Sequence, residues 1–339
     1  MEGTKHTSHL FMKATAKAHP NIALVKYWGK RDQKLNLPAV GSISVTLNEL
    51  HTISSVHFRE GLQNDILILN GEEAKPDQTQ RVSRFLDLIR PRAALSAKAE
   101  VRSKNNFPTG AGLASSASAF ASLALAGSQA AGLQIPTSAL SELARLGSGS
   151  AARSIFGGFV EMKVGERADG SDAVAVPLAD ENHWDLKILI AITSEEEKEI
   201  GSTTGMNHTA RTSPYYGQWV FSSQADLENM RRAIFLRNFT ELGQITELSC
   251  LKMHAVAMSA NPGLIYWNST TVEAIHTIRK LRNREIPVYF TIDAGPQIKA
   301  LCPAPYSEEV HDALQKIPGV LRIIKTSLGP AATLTEEMV

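Results

Sequence analysis

Apolar positions recur with a period of two along some stretches of this chain and with helical spacing along others, with no internal repeat. Residues 12–19 and 22–28 read as strand pieces around a bend at Pro20-Asn21. Residues 42–58 are β-rich: Ile43, Val45 and Leu47, then Ile53, Val56 and Phe58, alternate with polar residues. Residues 65–72 place Ile66-Leu67-Ile68-Leu69 before Asn70-Gly71, a strong hairpin signal. Val82, Phe85, Leu86, Leu88 and Ile89 predict a helix over 77–90, stopped by Pro91. A short strand at 97–102 delivers the chain to an Asn105-Asn106 turn.

An apolar, small-residue helix then opens near Leu113, and a second follows over 136–146 with Pro136 in its first turn. A small-residue loop at 147–154 and a strand at 155–163 come next, and a polar, acidic segment at 165–183 closes the first half. The second half begins with a buried strand at 186–193. It continues with helices at 215–238, 239–258 and 271–284, a strand at 288–293, a helix at 308–317 and a final strand at 321–326. The order is α+β. A chain of 339 residues exceeds what one core usually serves, and the expected division is 1–185 and 186–339.

Residues 112–133 are the most membrane-like stretch, but five serines and a glutamine sit among the alanines, which suits a helix packed inside a protein. No membrane segment is expected. Lys plus Arg (35) nearly cancels Asp plus Glu (34), so bulk charge argues for neither nucleic acid nor an anionic membrane as partner. Positive charge must be read site by site. Cys250 and Cys302 stand alone, without the spacing of a zinc site or a disulfide framework, which fits a reducing, cytoplasmic compartment. Residues 1–10 are polar and lack the apolar core of a signal peptide.

Four places carry candidate chemistry. In Pro108-Thr109-Gly110-Ala111-Gly112-Leu113-Ala114-Ser115-Ser116-Ala117, a glycine- and hydroxyl-rich loop runs into a helix. A helix N-terminus is a ready anion site; Gly110 and Gly112 let the backbone approach phosphate, and Ser115 and Ser116 add hydroxyls for phosphate or Mg2+. It is not a Walker P-loop, and a tightly packed helix start would use the same small residues. Lys26, Lys30 and Arg31 surround Tyr27-Trp28, a pattern that a solvated strand end explains as well. Arg153 follows Ser148-Gly149-Ser150, good geometry for an anion and equally for a surface ion pair. Asp293 leaves an apolar strand onto Ala294-Gly295-Pro296, as a catalytic carboxylate or a turn cap.

Taken together, these residues carry a family resemblance. The loop P-x-x-x-G-L-x-S-S-A resembles the phosphate-binding motif of the GHMP small-molecule kinases. Asn21-Ile22-Ala23-Leu24-Val25-Lys26-Tyr27-Trp28-Gly29-Lys30 resembles the N-terminal signature of the mevalonate diphosphate decarboxylases within that superfamily. Asn106-Phe107-Pro108, Gly147-Ser148-Gly149-Ser150, Arg153-Ser154-Ile155-Phe156-Gly157-Gly158, Gly205-Met206 and Thr291-Ile292-Asp293-Ala294-Gly295-Pro296 are similar to its other motifs, in order from about residue 14 onward. The resemblance implies a two-lobed α+β GHMP-kinase-type fold with a ribosomal-protein-S5-like N-terminal lobe, an active site in the inter-lobe cleft, and a homodimer.

The implied reaction uses MgATP to phosphorylate the tertiary 3-hydroxyl of mevalonate 5-diphosphate; phosphate and carbon dioxide then leave, giving isopentenyl diphosphate. By the same resemblance Asp293 lies beside the 3-hydroxyl as base or electrostatic partner, Lys26 keeps it ionised, and Arg153 holds the substrate's carboxylate or phosphate end. Tyr27, Lys30, Ser148 and Ser150 grip the terminal phosphates. Gly110, Ala111, Gly112, Leu113, Ala114, Ser115 and Ser116 wrap the ATP phosphates, Asn105 lies near the nucleotide, and Mg2+ sits on those phosphates with Ser115 or Ser116 nearby. Two departures stand out: Gly110 where the family often has alanine, and Thr203 where some members have arginine. The lead-in Ala16-Lys17-Ala18-His19-Pro20 resembles some enzymes acting on mevalonate 5-phosphate, which keeps that substrate as an alternative. A kinase stopping at phosphorylation is a further one, disfavoured by the retained Asp293.

Overall fold

The first half of the chain builds its core around a helix of unusually small residues. The computed structural model describes residues 12–107, 113–196, 198–337 and 339; residues 1–10 and the loop positions Gly110, Ala111 and Gly112 lie outside these. A six-stranded sheet runs in the spatial order Thr333–Leu334, Lys13–Ala18, Thr52–Arg59, Lys98–Asn105, Ile66–Leu69 and Glu72–Glu73. Among the described residues, only the pairing of Ile66–Leu69 with Lys98–Asn105 is parallel. Helices α1 (Pro76–Ile89), α2 (Ser115–Ala130) and α3 (Thr137–Gly147) join Phe85, Leu86, Ala121, Ala124 and Leu143 to Ala16, Val56 and Val101 of the sheet in one core. The serines of α2 belong to this packing. Ser118 Oγ lies 2.6 Å from Thr52 Oγ and Ser122 Oγ 2.8 Å from Ser54 Oγ, so hydroxyls buried by the close approach satisfy one another.

A second sheet carries Ala175–Ala179, Phe159–Met162, Ser42–Thr46 and Asn21–Val25, and a third carries Tyr289–Ile292, Ile298–Pro303, Leu186–Ile192 and Arg322–Ser327. Helices α4 (Ser202–Thr212), α5 (Tyr216–Phe235), α6 (Phe239–Met258), α7 (Ser269–Arg282) and α8 (Ser307–Gln315) complete the second half. The halves are not independent. Ile22, Leu24, Val45 and Phe159 share one hydrophobic cluster with Ile188, Ile190, Met230, Leu242 and Leu301. The chain also returns to where it began: Thr333–Leu334 pairs with Lys13–Ala18. No helix among the described residues is long and apolar enough to cross a membrane.

The expected β-rich segment 42–58 is two strands in different sheets. It breaks because Leu47 and Asn48 pair with Leu328 and Ser327 instead of continuing the ladder. The expected strand 155–163 shortens to Phe159–Met162, since Gly149–Ile155 winds into a 3-10 turn. The polar segment 165–183 contains a strand, Ala175–Ala179, paired with Phe159–Met162. Helix α4 escapes the hydrophobic pattern because Gly205, Met206 and Thr209 are its buried residues.

One buried cation ties the loops behind the cleft. Arg145 of α3 is fully buried and donates to the carbonyls of Leu35 (Nε, 3.2 Å), Gly170 (Nη1, 2.6 Å) and Ala173. Replacing it by methionine removes all three bonds: the Gly170 carbonyl still accepts from the Ala173 N–H at 3.1 Å, while the carbonyls of Leu35 and Ala173 lose this donor. We expect Arg145→Met to lower the unfolding free energy by about 3–5 kcal/mol, read from urea midpoints. An unchanged midpoint would show that the three bonds contribute nothing net.

Candidate active site

Asp293 follows the strand Tyr289–Ile292 directly and turns into a cavity of about 420 Å³ between the halves. Its walls are the residues after Asn21–Val25, the first turn of α2, the loop 147–150, Arg153, and the start of α4. Lys26 Nζ donates to Asp293 Oδ1 at 2.6 Å, and Lys299 Nζ pairs with Oδ2 at 3.3 Å. Both lysines are buried. Burial by itself raises the pKa of Asp293, but Lys26 and Lys299 outweigh it and hold the carboxyl well below the usual range.

Helix α6 fixes the backbone just before this carboxylate. His254 Nε2 lies 3.2 Å from the Ile292 carbonyl, which can only accept, so Nε2 carries the proton. Nδ1 is buried without a hydrogen-bond partner among the described residues. Burial pushes His254 down to about 3, with Lys26 adding to the shift. The Ile292 N–H donates to Cys250 Sγ at 3.2 Å, and burial pushes that thiol up to about 11.

Arg153 is buried and, among the described residues, donates to neutral acceptors. Nε donates to Ser44 Oγ (2.9 Å) and Asn21 Oδ1 (3.2 Å), Nη1 to Ser42 Oγ (2.6 Å), and Nη2 to Asn21 Oδ1 (3.0 Å). Burial lowers its pKa to about 10, so it stays charged at neutral pH. Lys30 Nζ donates to the Asn36 amide oxygen at 2.6 Å. Arg81 donates to the Gly147 carbonyl at 3.0 Å, and Lys198 to Ser202 Oγ (2.9 Å) and the Ala294 carbonyl (3.0 Å). Thus Lys26, Lys30, Arg81, Arg153 and Lys198 line the cavity with Asp293 as its carboxylate. The helix N-termini of α2 (Ser115, Ser116) and α4 (Ser202, Thr203, Thr204) border it too, adding N–H groups of the same sign. A chain of nearly balanced charge has concentrated cations around one space.

Ser148 Oγ lies 3.2 Å from Ser116 Oγ and 3.3 Å from Ser150 Oγ, so the three hydroxyls form one polar floor. Tyr27 Oη is buried there without a hydrogen-bond partner among the described residues, and burial raises its pKa. It presses on Gly149, where a Cβ would come within 2.4 Å of the hydroxyl oxygen, so glycine lets the ring reach the floor. A second cavity, of about 160 Å³, shares Arg81, Ser115 and Ser116 with the first and is walled by Leu67, Leu69, Val82, Val101 and Phe120 with Asn105 at its polar side. Apolar walls beside a cation-rich floor suit a flat heterocycle joined to phosphates.

The structure therefore brings Asp293, Lys26, Arg153, Tyr27, Lys30, Ser148, Ser150, Ala114, Ser115 and Ser116 to one cavity and Asn105 to the adjoining one. Leu113 instead has its side chain in the shared core, close to the start of α2. Sequence reasoning missed Arg81, Lys198 and Lys299. Arg81 looked like the polar face of α1, Lys198 is hidden in Glu195-Glu196-Glu197-Lys198-Glu199, and Lys299 interrupts an apolar strand without a recognisable motif.

Two family models match the chain: the diphosphomevalonate decarboxylase-like N-terminal domain over residues 18–175, and the mevalonate 5-diphosphate decarboxylase C-terminal domain over residues 188–329. The chain belongs to the diphosphomevalonate decarboxylase family. Among curated relatives, the diphosphomevalonate decarboxylase of Candida albicans is 36% identical, covering 96% of this chain and 98% of its own. The crystal structure of mevalonate diphosphate decarboxylase from Staphylococcus aureus is 38% identical with a TM-score of 0.91, over 96% of this chain and 98% of that one. A further member of the family, described as MDDEF in complex with MVAPP, AMPPCP and magnesium, is 38% identical with a TM-score of 0.90, over 96% and 99% of the two chains. The two-lobed α+β fold of the family is the fold of this chain.

The buried neutral His254 has a consequence for stability. Its folded pKa lies below its unfolded value, so the unfolded chain binds more protons in between and stability falls as pH drops from about 6.5 toward 3. The expected slope from this residue is about 1.4 kcal/mol per pH unit within that window. His254→Gln should reduce the acid slope by that amount in denaturant melts run across pH; an identical slope would show that His254 takes up its proton in the folded protein as readily as in the unfolded chain.

Proposed function

We propose that this chain catalyses ATP-dependent decarboxylation of mevalonate 5-diphosphate to isopentenyl diphosphate, with release of ADP, phosphate and carbon dioxide, in the mevalonate route to isoprenoids. The observation that carries it is a cavity in which cations held by neutral groups surround a carboxylate paired with two lysines. A substrate with two phosphates and a carboxylate, meeting the phosphates of ATP, supplies the negative charge that this cavity lacks. The family members named above, one of them described with MVAPP, AMPPCP and magnesium, support the same substrate pair.

Each residue then has a physical task. Asp293 accepts the hydrogen bond of the tertiary 3-hydroxyl and orients it. A carboxylate held so far down is a weak proton acceptor at rest, so it takes the proton only as the incoming phosphoryl group withdraws charge from that oxygen. Asp293 then returns that proton to the departing phosphate, and the restored carboxylate charge stabilises the positive charge that develops at C3 as the C3–O bond breaks and the substrate carboxylate leaves as carbon dioxide. Arg153, already oriented by Asn21, Ser42 and Ser44, holds the substrate's anionic end. Lys30, Tyr27, Ser148 and Ser150 face the terminal phosphates. Lys198 and Arg81 flank the ATP phosphates, whose base side occupies the apolar neighbouring cavity beside Asn105. Gly110, Ala111 and Gly112 complete the wrap in this proposal.

Mg2+ neutralises phosphate charge when bound. Among the described residues no cluster of three or more His, Cys, Asp or Glu could hold it alone. Ser115 and Ser116 line both cavities, and their hydroxyls are oxygen donors that suit a cation carried mainly by phosphates.

The lead-in 16–20 that resembled the monophosphate enzymes lies away from this chemistry. Ala16 and Ala18 are buried in the core of the six-stranded sheet, and the His19 ring bonds the Leu50 carbonyl. The number of phosphates is read instead by the floor around Lys30. We also place the lobe division at 185/186, with the tail returning to the first lobe, and propose a homodimer and a cytoplasmic location. The outer surface of α5 and α6 exposes Phe221, Phe235, Leu248 and Met258, apolar area suited to a second copy, and both cysteines are buried free thiols.

Carbon dioxide release with ATP, measured side by side on mevalonate 5-diphosphate and mevalonate 5-phosphate, tests the assignment. Preference for the diphosphate is expected; ADP without carbon dioxide would leave only a kinase. Asp293→Asn should abolish most turnover with ATP binding near normal. Arg153→Ala should lower kcat/KM for the mevalonate substrate by the equivalent of about 2–5 kcal/mol. A loss confined to ATP affinity would move Arg153 to the nucleotide.

A further inference from the structure

Lys299 is a charged residue in the middle of an otherwise apolar strand, Ile298–Pro303, and only 1% of it is exposed. That strand pairs with Tyr289–Ile292 in the register Thr291 to Lys299 and Ile292 to Ile298. Asp293 stands two residues beyond Thr291, so Lys299 is its diagonal neighbour on the same sheet face, within reach of a long side chain. The ammonium meets Oδ2 from the sheet side, while Lys26 meets Oδ1 from the cavity. Lys26 lines the cavity; Lys299 does not.

This asymmetry separates the two lysines. When polyanionic substrates fill the cavity, Lys26 is within their reach and their phosphates compete for it. The same negative charge works to protonate Asp293, because like charges favour the neutral acid. A cation behind the carboxylate, walled off from the substrates, cannot be drawn away. We propose that Lys299 is a positioning residue: a dedicated counter-charge that holds Asp293 ionised, and its plane fixed, while the cavity is loaded with anions. The proposal rests on the assignment of Asp293 to the reacting hydroxyl. The other titratable groups around the pair do not replace it. Lys198, before α4, and Arg153 carry charge toward Asp293 but line the cavity, where the anions compete for them as for Lys26. His254 and Cys250 face it from α6, are neutral at physiological pH and supply no charge. With Lys26 engaged elsewhere, Lys299 is the paired cation left on the carboxylate.

The test is the pH dependence of single-turnover and steady-state kcat for Lys299→Met, Lys299→Gln and Lys299→Arg, each divided by the wild-type value at the same pH. For the methionine and glutamine variants the ratio should fall by about tenfold between about pH 8 and pH 5, as an acid limb from Asp293 enters the range. KM for both substrates should stay within about threefold, since the side chain does not reach the cavity. Lys299→Arg, which keeps the charge, should hold the ratio constant. A ratio independent of pH for Lys299→Gln, whatever its level, would overturn the proposal. If Lys299→Met does not fold, the glutamine and arginine variants decide alone. Asp293→Asn separates the two possible failures. Wild-type turnover in that variant removes the role of Asp293 and this proposal with it. An inactive Asp293→Asn beside a flat Lys299→Gln profile removes only this one.

Discussion

Everything in the cleft follows from the cost of keeping positive charge where water is scarce. Removing a cation from water is unfavourable unless other groups solvate it, and the obvious partner, a carboxylate, would cancel the charge that anionic substrates need. The protein resolves this with neutral oxygen. Arg153 rests on two serines and an asparagine, Lys30 on an amide, Arg81 and Arg145 on backbone carbonyls, and Lys198 on a hydroxyl and a carbonyl. These acceptors orient each cation and share its solvation without neutralising it. Asp293 is the deliberate exception, and there the charge ratio is inverted, with two lysines on one carboxylate.

The fold serves that arrangement by bringing backbone and small side chains close together. The loop 147–150 sits at the end of α3 against Asn36, in the turn between the paired strands Lys30–Asp32 and Leu37–Pro38; the Asn36 amide donates to the Arg145 and Leu146 carbonyls at 3.1 and 2.8 Å while accepting from Lys30. Asn36 takes φ 50°, a left-handed conformation that asparagine tolerates better than most residues. Tyr27 reaches the same floor only because position 149 has no side chain. Helix α2 brings its serines to the floor because alanine and serine let it lie close to the six-stranded sheet.

Much of the site could be read from the sequence, but through motifs and not through periodicity. On spacing alone, Lys26 and Lys30 were indistinguishable from a solvated strand end, and Arg153 from a surface ion pair. The order of the separated motifs resolved them. What stayed hidden was set by tertiary contact. Lys198 lies among glutamates that mask it, and Lys299 acquires meaning only when the strand register places it diagonal to Asp293. The break inside 42–58 was illegible for a similar reason, since the partner that ends the first strand, Leu328, lies far along the chain. Polar α4 offered no stripe to find, yet its first turn borders the cavity.

The pairing of Thr333–Leu334 with Lys13–Ala18 bears on how the molecule comes into being. During synthesis Lys13–Ala18 emerges long before Thr333–Leu334, the strand that covers its outer backbone edge among the described residues. An open strand edge invites pairing with another chain. The short closing strand thus acts as a late seal: the six-stranded sheet is completed only after residue 333 has been made, so a chain truncated before it would carry most of the cavity-lining residues together with a sheet edge primed for aggregation.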